Sequence, residues 1–183
     1  DVSELARIVA ASTRPVIWSG GGVTQCGPAG ESAVRALAER LGAPVVTTYA
    51  GRGVMAGDPL AIETSTHEPE VDALIGAADL LIVVGSGFDA MHTKNWKMSL
   101  PEHRVAITLG DEVARTIDWD LLVSADLVST ISEVVAELPV VDREPWAPTD
   151  LREIVRARLQ ADERTAPAVD FVDAIDTWPA DGA

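Results

Sequence analysis

Residues 14–27 read RPVIWSGGGVTQCG, and the order strand, glycine turn, helix in this stretch decides the fold. The residue before a proline is pushed out of the helical region, so Arg14-Pro15 ends any helix that precedes it. Pro15 to Ser19 is a short apolar run of the kind a strand buried on both faces uses. Gly20-Gly21-Gly22 follows at once, and a helical pattern opens near Pro28. Glycine reaches backbone angles closed to other residues and lets another group approach the main chain. In open α/β sheets, ligands sit beside such turns, at the carboxyl ends of the strands.

The same alternation continues outward. Val2 to Ala11 has helical periodicity (Val2, Leu5, Ala6, Ile8, Val9), with Ser3 as the expected cap. Glu31 to Leu41 is an amphipathic helix with Val34, Leu37, Ala38 and Leu41 inward, closed by Gly42. Ala43 to Thr48 is β-branched and reads as a second strand. Tyr49 to Pro59 is a glycine-rich loop whose cation is Arg52. Pro69 to Ala78 reads as a short helix, with Asp79 ending it and facing solvent. Asp79 to Gly85 is the clearest strand, and Gly85-Ser86-Gly87 is a second glycine turn, followed by Phe88-Asp89. Ala90 to Glu102 is irregular. Arg104 to Leu109 and Asp120 to Val123 are a fourth and a fifth strand, and Leu127 to Leu138 is a last sheet-packing helix. Residues 1–139 are thus expected to form one α/β domain, an open parallel sheet with helices on both faces. After Pro139 the texture changes. Asp142 to Asp150 suggests an extended linker, Leu151 to Asp162 a charged helix, and Val169 to Trp178 a new apolar pattern that stops as though cut.

Composition narrows the partners. The 183 residues are 47% hydrophobic and carry 14 Lys and Arg against 29 Asp and Glu, a formal charge of −15. Nucleic acid and anionic membrane both require a basic footprint, so neither is expected. The one cysteine, Cys26, cannot form an intrachain disulfide, which fits a reducing, cytoplasmic setting. No apolar run approaches bilayer length, and the first residues lack a signal-peptide pattern.

Several chemistries fail on spacing. The first glycine turn is not G-x-G-x-x-G, because Gln25 stands where the third glycine belongs. The second strand ends Thr47-Thr48-Tyr49, without the acid that would hold a ribose. No lysine follows Gly27 as in a P-loop, and Gly85-Ser86-Gly87 is not the G-x-S-x-G elbow. His67, His92 and His103 lack metal-ligand spacing. Asp89 follows a glycine turn at a strand's carboxyl end, and a structural role there is weighed above a ligand contact. No catalytic constellation emerges.

RPVIWSGGGV, LAERLGAPVVTTYAGRGVM, AADLLIVVGSGFD and SADLVSTISEVVAELP together resemble the central domain of thiamine diphosphate-dependent enzymes, the acetolactate synthase, benzoylformate decarboxylase and pyruvate oxidase group. The resemblance implies a Rossmann-like fold, related to the FAD/NAD-binding DHS-like fold. It implies a parent chain with a pyrimidine-binding and a diphosphate-binding domain on either side, acting on 2-oxo acids as a homo-oligomer. APAVDFVDAIDTWPADGA (166–183) resembles the start of the diphosphate-binding domain, so 140–183 reads as linker plus that truncated start. Thiamine diphosphate and Mg2+ belong to the parent: the activating glutamate and the Gly-Asp-Gly metal motif lie in the outer domains and are not in this sequence. The fragment is then expected to be a non-catalytic bridge. Some members hold FAD or ADP above the sheet, and by resemblance Gly20, Gly21 and Gly22 match one wall of that crevice and Gly85, Ser86 and Phe88 another. Thr108-Leu109-Gly110-Asp111 departs from the family's Asp-x-Asp, and Arg52 replaces its lysine. The alternative is a free-standing FAD/ADP-binding module of electron-transfer-flavoprotein type.

Overall fold

The computed structural model describes residues 2–110, 112–140, 143–148 and 150–176. Its first compact unit runs through Thr149 and its second begins at Asp150. In the first unit the strands are β1 (Pro15–Ser19), β2 (Val45–Thr47), β3 (Ala61–Ile62), β4 (Leu80–Val84), β5 (His103–Thr108) and β6 (Leu121–Ser124). They form one sheet in the order β3-β2-β1-β4-β5-β6, and every pairing is parallel. The chain builds outward from β1 through β2 and β3, then returns to lay β4 on the other side of β1. Ile17 is therefore flanked by Val45 and Ile82.

The helices are α1 (Val2–Ala11), α2 (Gly21–Gln25), α3 (Gly27–Leu41), α4 (Pro69–Ala77) and α5 (Leu127–Glu137). Alternation along the strands sends Ile17, Val45, Ile82, Val105 and Ile107 into one core with Leu5 of α1, Leu37 of α3 and Ile131 of α5. Trp18, Leu81, Val83 and Ala106 point the other way and are equally buried, as are Val71, Leu74 and Ile75 of α4. A strand covered on both faces has no polar side to show, which is why β4 is apolar throughout. Gly42 closes α3 with φ 60° and ψ 33°, the left-handed geometry a glycine cap supplies.

Four details differ from the sequence expectation. Ser3 lies inside α1 and donates to Glu137 Oε1 at 3.0 Å, joining α1 to α5 rather than capping. The glycine turn after β1 itself winds into α2, although glycine is a poor helix former. The two-residue β3 is too short to show periodicity, and pairing with β2 creates it. Asp79 is half-buried, and its carboxylate accepts the Thr13 amide at 2.9 Å and hydroxyl at 2.7 Å, the Arg14 amide at 3.0 Å and the Ser12 hydroxyl.

Residues 143–148 lie along the first unit instead of spanning free. Trp146 Nε1 donates to the Pro15 carbonyl at 2.7 Å and Arg143 Nη1 to the Ser12 carbonyl at 3.0 Å. Trp146→Phe removes this bond and part of the indole's packing, so it should cost at least about 1 kcal/mol in urea unfolding. Asp142 falls outside the described residues, as do Asp111 and residues 177–183.

The second unit is a helix pair, α6 (Leu151–Ala161) and α7 (Ala166–Asp176). Arg156 pairs with Asp173, Gln160 Nε2 donates to Asp170 Oδ1 at 2.9 Å, and the Thr165 hydroxyl donates to the Leu159 carbonyl at 2.5 Å. Among the described residues no helix is long and apolar enough to cross a membrane.

Candidate functional site

Gly20, Gly21, Gly22, Gly85, Ser86 and Phe88 do come together, at the carboxyl edge of the sheet where strand order reverses between β1 and β4. They meet as backbone against backbone. The Gly20 amide donates to the Val84 carbonyl at 2.8 Å, and the Gly22 amide to the Gly85 carbonyl at 2.8 Å. A Cβ on Gly20 would lie 2.4 Å from the Gly85 carbonyl oxygen and 2.5 Å from Ser86 Cα. One on Gly22 would lie 2.9 Å from Gly85 Cα, and one on Gly21 would lie 2.8 Å from Ala50 Cβ. Gly51 closes on the same point, since its added Cβ would lie 2.5 Å from the Ser19 carbonyl oxygen. Three turns, those after β1, β2 and β4, are thus locked together.

Ser86 and Phe88 finish this joint from below. The buried Ser86 hydroxyl accepts from Trp18 Nε1 at 3.3 Å and from the Phe88 amide at 3.1 Å. Phe88 is fully buried, with its ring 5.0 Å from Trp18 and 5.4 Å from Trp119. It holds this place at φ 46°, an uncommon angle for a bulky side chain.

Beside the joint lies an open groove of about 530 Å³, lined among others by Gly22, Gln25, Ser86, Thr108, Gly110 and Leu127. A cradle for a nucleotide diphosphate would draw on the amides of this turn. Such a cradle works by presenting free amides at a helix start, whereas the Gly20 and Gly22 amides are spent on backbone carbonyls and α2 has only five residues. Among the described residues no group of three or more His, Cys, Asp or Glu side chains could hold a metal ion.

A second cluster, which sequence spacing did not reveal, sits on the same edge. Asp89 Oδ1 accepts both the His92 amide at 3.0 Å and His92 Nδ1–H at 2.9 Å. Burial pushes the Asp89 carboxyl up, but the bonds from the His92 amide and ring outweigh it and hold the group below the usual carboxylate range. The Tyr49 ring lies 5.3 Å from the His92 ring and 6.4 Å from that of His67. His67 Nε2–H donates to the Met91 carbonyl at 2.6 Å, and the Arg52 guanidinium stands 6.0 Å from the Tyr49 centroid. Tyr49, His67 and His92 are carried by the loops after β2, β3 and β4, so only the folded sheet brings them together.

An open parallel sheet of this strand order, with glycine turns meeting over its central strand, defines a Rossmann-like α/β domain. The model of the family "Thiamine pyrophosphate enzyme, central domain" matches residues 2–138, and the chain belongs to that family. It is 33% identical over 145 residues to an acetolactate synthase of Mycobacterium bovis, covering 75% of this chain and 23% of that protein. It is 31% identical over 167 residues to a protein named probable 2-ketoarginine decarboxylase AruI of Pseudomonas aeruginosa, covering 89% of this chain and 28% of that one. The chain thus spans roughly a quarter of the length of these curated relatives. Among solved structures, a Mycobacterium smegmatis protein described as a thiamin diphosphate-dependent enzyme superposes with a TM-score of 0.63 at 23% identity. That match covers 80% of this chain and 29% of the other, and shows the shared fold.

Proposed function

We propose that this chain is the scaffolding domain of a thiamine diphosphate enzyme acting on 2-oxo acids. It bridges a pyrimidine-binding and a diphosphate-binding domain of the same parent chain, in a cytoplasmic homo-oligomer, and performs no chemistry itself. Residues 140–183 belong to the passage into the diphosphate-binding domain. The observation that carries this reading is the locked joint of three turns. The Gly20, Gly22 and Gly85 amides are spent on the Val84, Gly85 and Ile107 carbonyls, and Gly20 and Gly22 approach the turn after β4 too closely to admit a Cβ. In this reading they fix the angles at which loops leave the sheet toward neighbouring domains, and the adjacent groove holds no FAD or ADP. Alone, the 183-residue chain should show no saturable heat on titration with thiamine diphosphate plus Mg2+, or with FAD or ADP. Saturable binding of thiamine diphosphate would overturn the scaffolding assignment. Binding of FAD or ADP would overturn only the packing role of the glycine turns.

A further inference from the structure

The histidine at the carboxyl edge of β4 has one nitrogen committed and one left over. His92 Nδ1–H donates to the Asp89 carboxylate, which can only accept, so in the neutral ring the lone pair lies on Nε2. That Nε2 is buried and has no hydrogen-bond partner. An unsatisfied buried acceptor is costly and calls for an explanation. The Tyr49 ring packs beside the imidazole, with centroids 5.3 Å apart and planes tilted by 48°, yet Tyr49 itself is 54% exposed. One ring packed beside the imidazole is therefore a half-free side chain on the loop after β2.

The loop holding the pair is strained on both sides. Phe88 precedes it at φ 46°, and Lys94, Asn95 and Trp96 follow at φ 55°, 54° and 63°, one left-handed turn of non-glycine residues. Such angles cost free energy and persist where surrounding contacts impose them, most often at functional sites. Here three contacts impose them. The buried Thr93 hydroxyl donates to the Asp89 carbonyl at 2.9 Å, the Asn95 amide donates to the Ala90 carbonyl at 2.7 Å, and Lys94 Nζ pairs with Asp72 at 2.9 Å. They present Asp89 and His92 as a fixed unit at the sheet edge where ligands enter folds of this class.

We propose that Asp89, His92 and Tyr49 form a gated hydrogen-bond-accepting site. When the Tyr49 ring turns aside, His92 Nε2 takes a small ligand that presents a hydroxyl or N–H donor. Asp89 positions the imidazole and stabilises it as it accepts. Charged and titratable groups beside it include Asp89 on the same loop, and Arg52 and His67 near the Tyr49 ring. This inference stands apart from the scaffolding role, since it concerns a different cluster.

Diethyl pyrocarbonate reads the site directly, because it acylates the imidazole lone pair and releases ethanol and carbon dioxide. His103, whose side chain is 62% exposed, is the internal standard. In the wild-type chain His92 should react at least about tenfold more slowly than His103, as expected of a group that reacts only on local opening. Tyr49→Ala should raise the His92 rate toward that of His103, and Tyr49→Phe, which keeps the ring, should leave it slow. Long-range 15N–1H spectra should show the proton on His92 Nδ1, and Asp89→Ala should redistribute it. A His92 that reacts as fast as His103 in the wild type, or stays slow in a folded Tyr49→Ala chain, overturns the gate. A proton found on Nε2 overturns the acceptor.

Discussion

Replacing Gly20 by alanine should lower stability by about 3 kcal/mol, the upper end of what an overpacked site costs, and drop the melting temperature by roughly 10 °C for a chain of this size. The argument is wholly steric. Gly20 sits at φ −103°, an angle any residue adopts, so no conformational penalty is involved. What forbids a methyl group is the Gly85 carbonyl oxygen at 2.4 Å and the Ser86 Cα and Cβ at 2.5 Å. None of these is the free end of a flexible side chain. Relief requires the turn after β4 to move away from β1, which breaks the 2.8 Å bonds from Gly20 to Val84 and from Gly22 to Gly85. The control lies in the same turn. A Cβ on Gly87 meets nothing within 4 Å, so Gly87→Ala should change stability by less than about 0.5 kcal/mol. Thermal and urea unfolding of both variants decide the matter. Equal effects would mean that the turns are held apart by space rather than locked.

This pair of glycines also shows what the sequence could and could not reveal. The strands β1 and β4 and the helices α3 and α5 were legible because burial on one face or two writes a local pattern: an unbroken apolar run, or apolar residues three and four apart. Gly20 to Gly22 were legible as a place of close approach. The identity of the approaching group was not, since a tight turn for a phosphate and a tight turn for another turn demand the same residue. The partner, Gly85-Ser86, lies beyond the three strands β2, β3 and β4 and the helices α3 and α4. Tyr49, His67, Asp89 and His92 carry no joint signal in the sequence for the same reason. Each is unremarkable locally, and only parallel strands ending at one edge collect them. Sequence position alone puts Asp79 in solvent, because an acid between a helix and a strand usually is there, and nothing near it in the chain announces donors 66 residues away.

Those donors make Asp79 the site of the second large effect. Its carboxylate ties the end of α1 and the start of β1 to the start of β4, accepting from Ser12, Thr13 and Arg14. Burial pushes its pKa up, but the hydroxyls of Ser12 and Thr13 and the amides of Thr13 and Arg14 outweigh that and bring it down to about 2. Because the folded value lies below the unfolded one, the carboxylate stabilises the fold above about pH 4, and this contribution is lost as pH falls through 2. A depression from 3.8 to about 2 corresponds to roughly 2 kcal/mol once solvent screening at a half-buried site is allowed for. Asp79→Asn keeps the shape but removes the charge and replaces one acceptor oxygen by an NH2, which the donor-only Thr13 and Arg14 amides cannot bond. At neutral pH it should therefore cost about 2–3 kcal/mol, the range for a bond to a charged acceptor. The gap between wild type and variant in urea unfolding should close as the pH is taken from 5 toward 2, because the protonated acid has lost the same charge. Two unfolding curves that stay parallel over that interval would place the stabilisation in packing and take it away from the carboxylate.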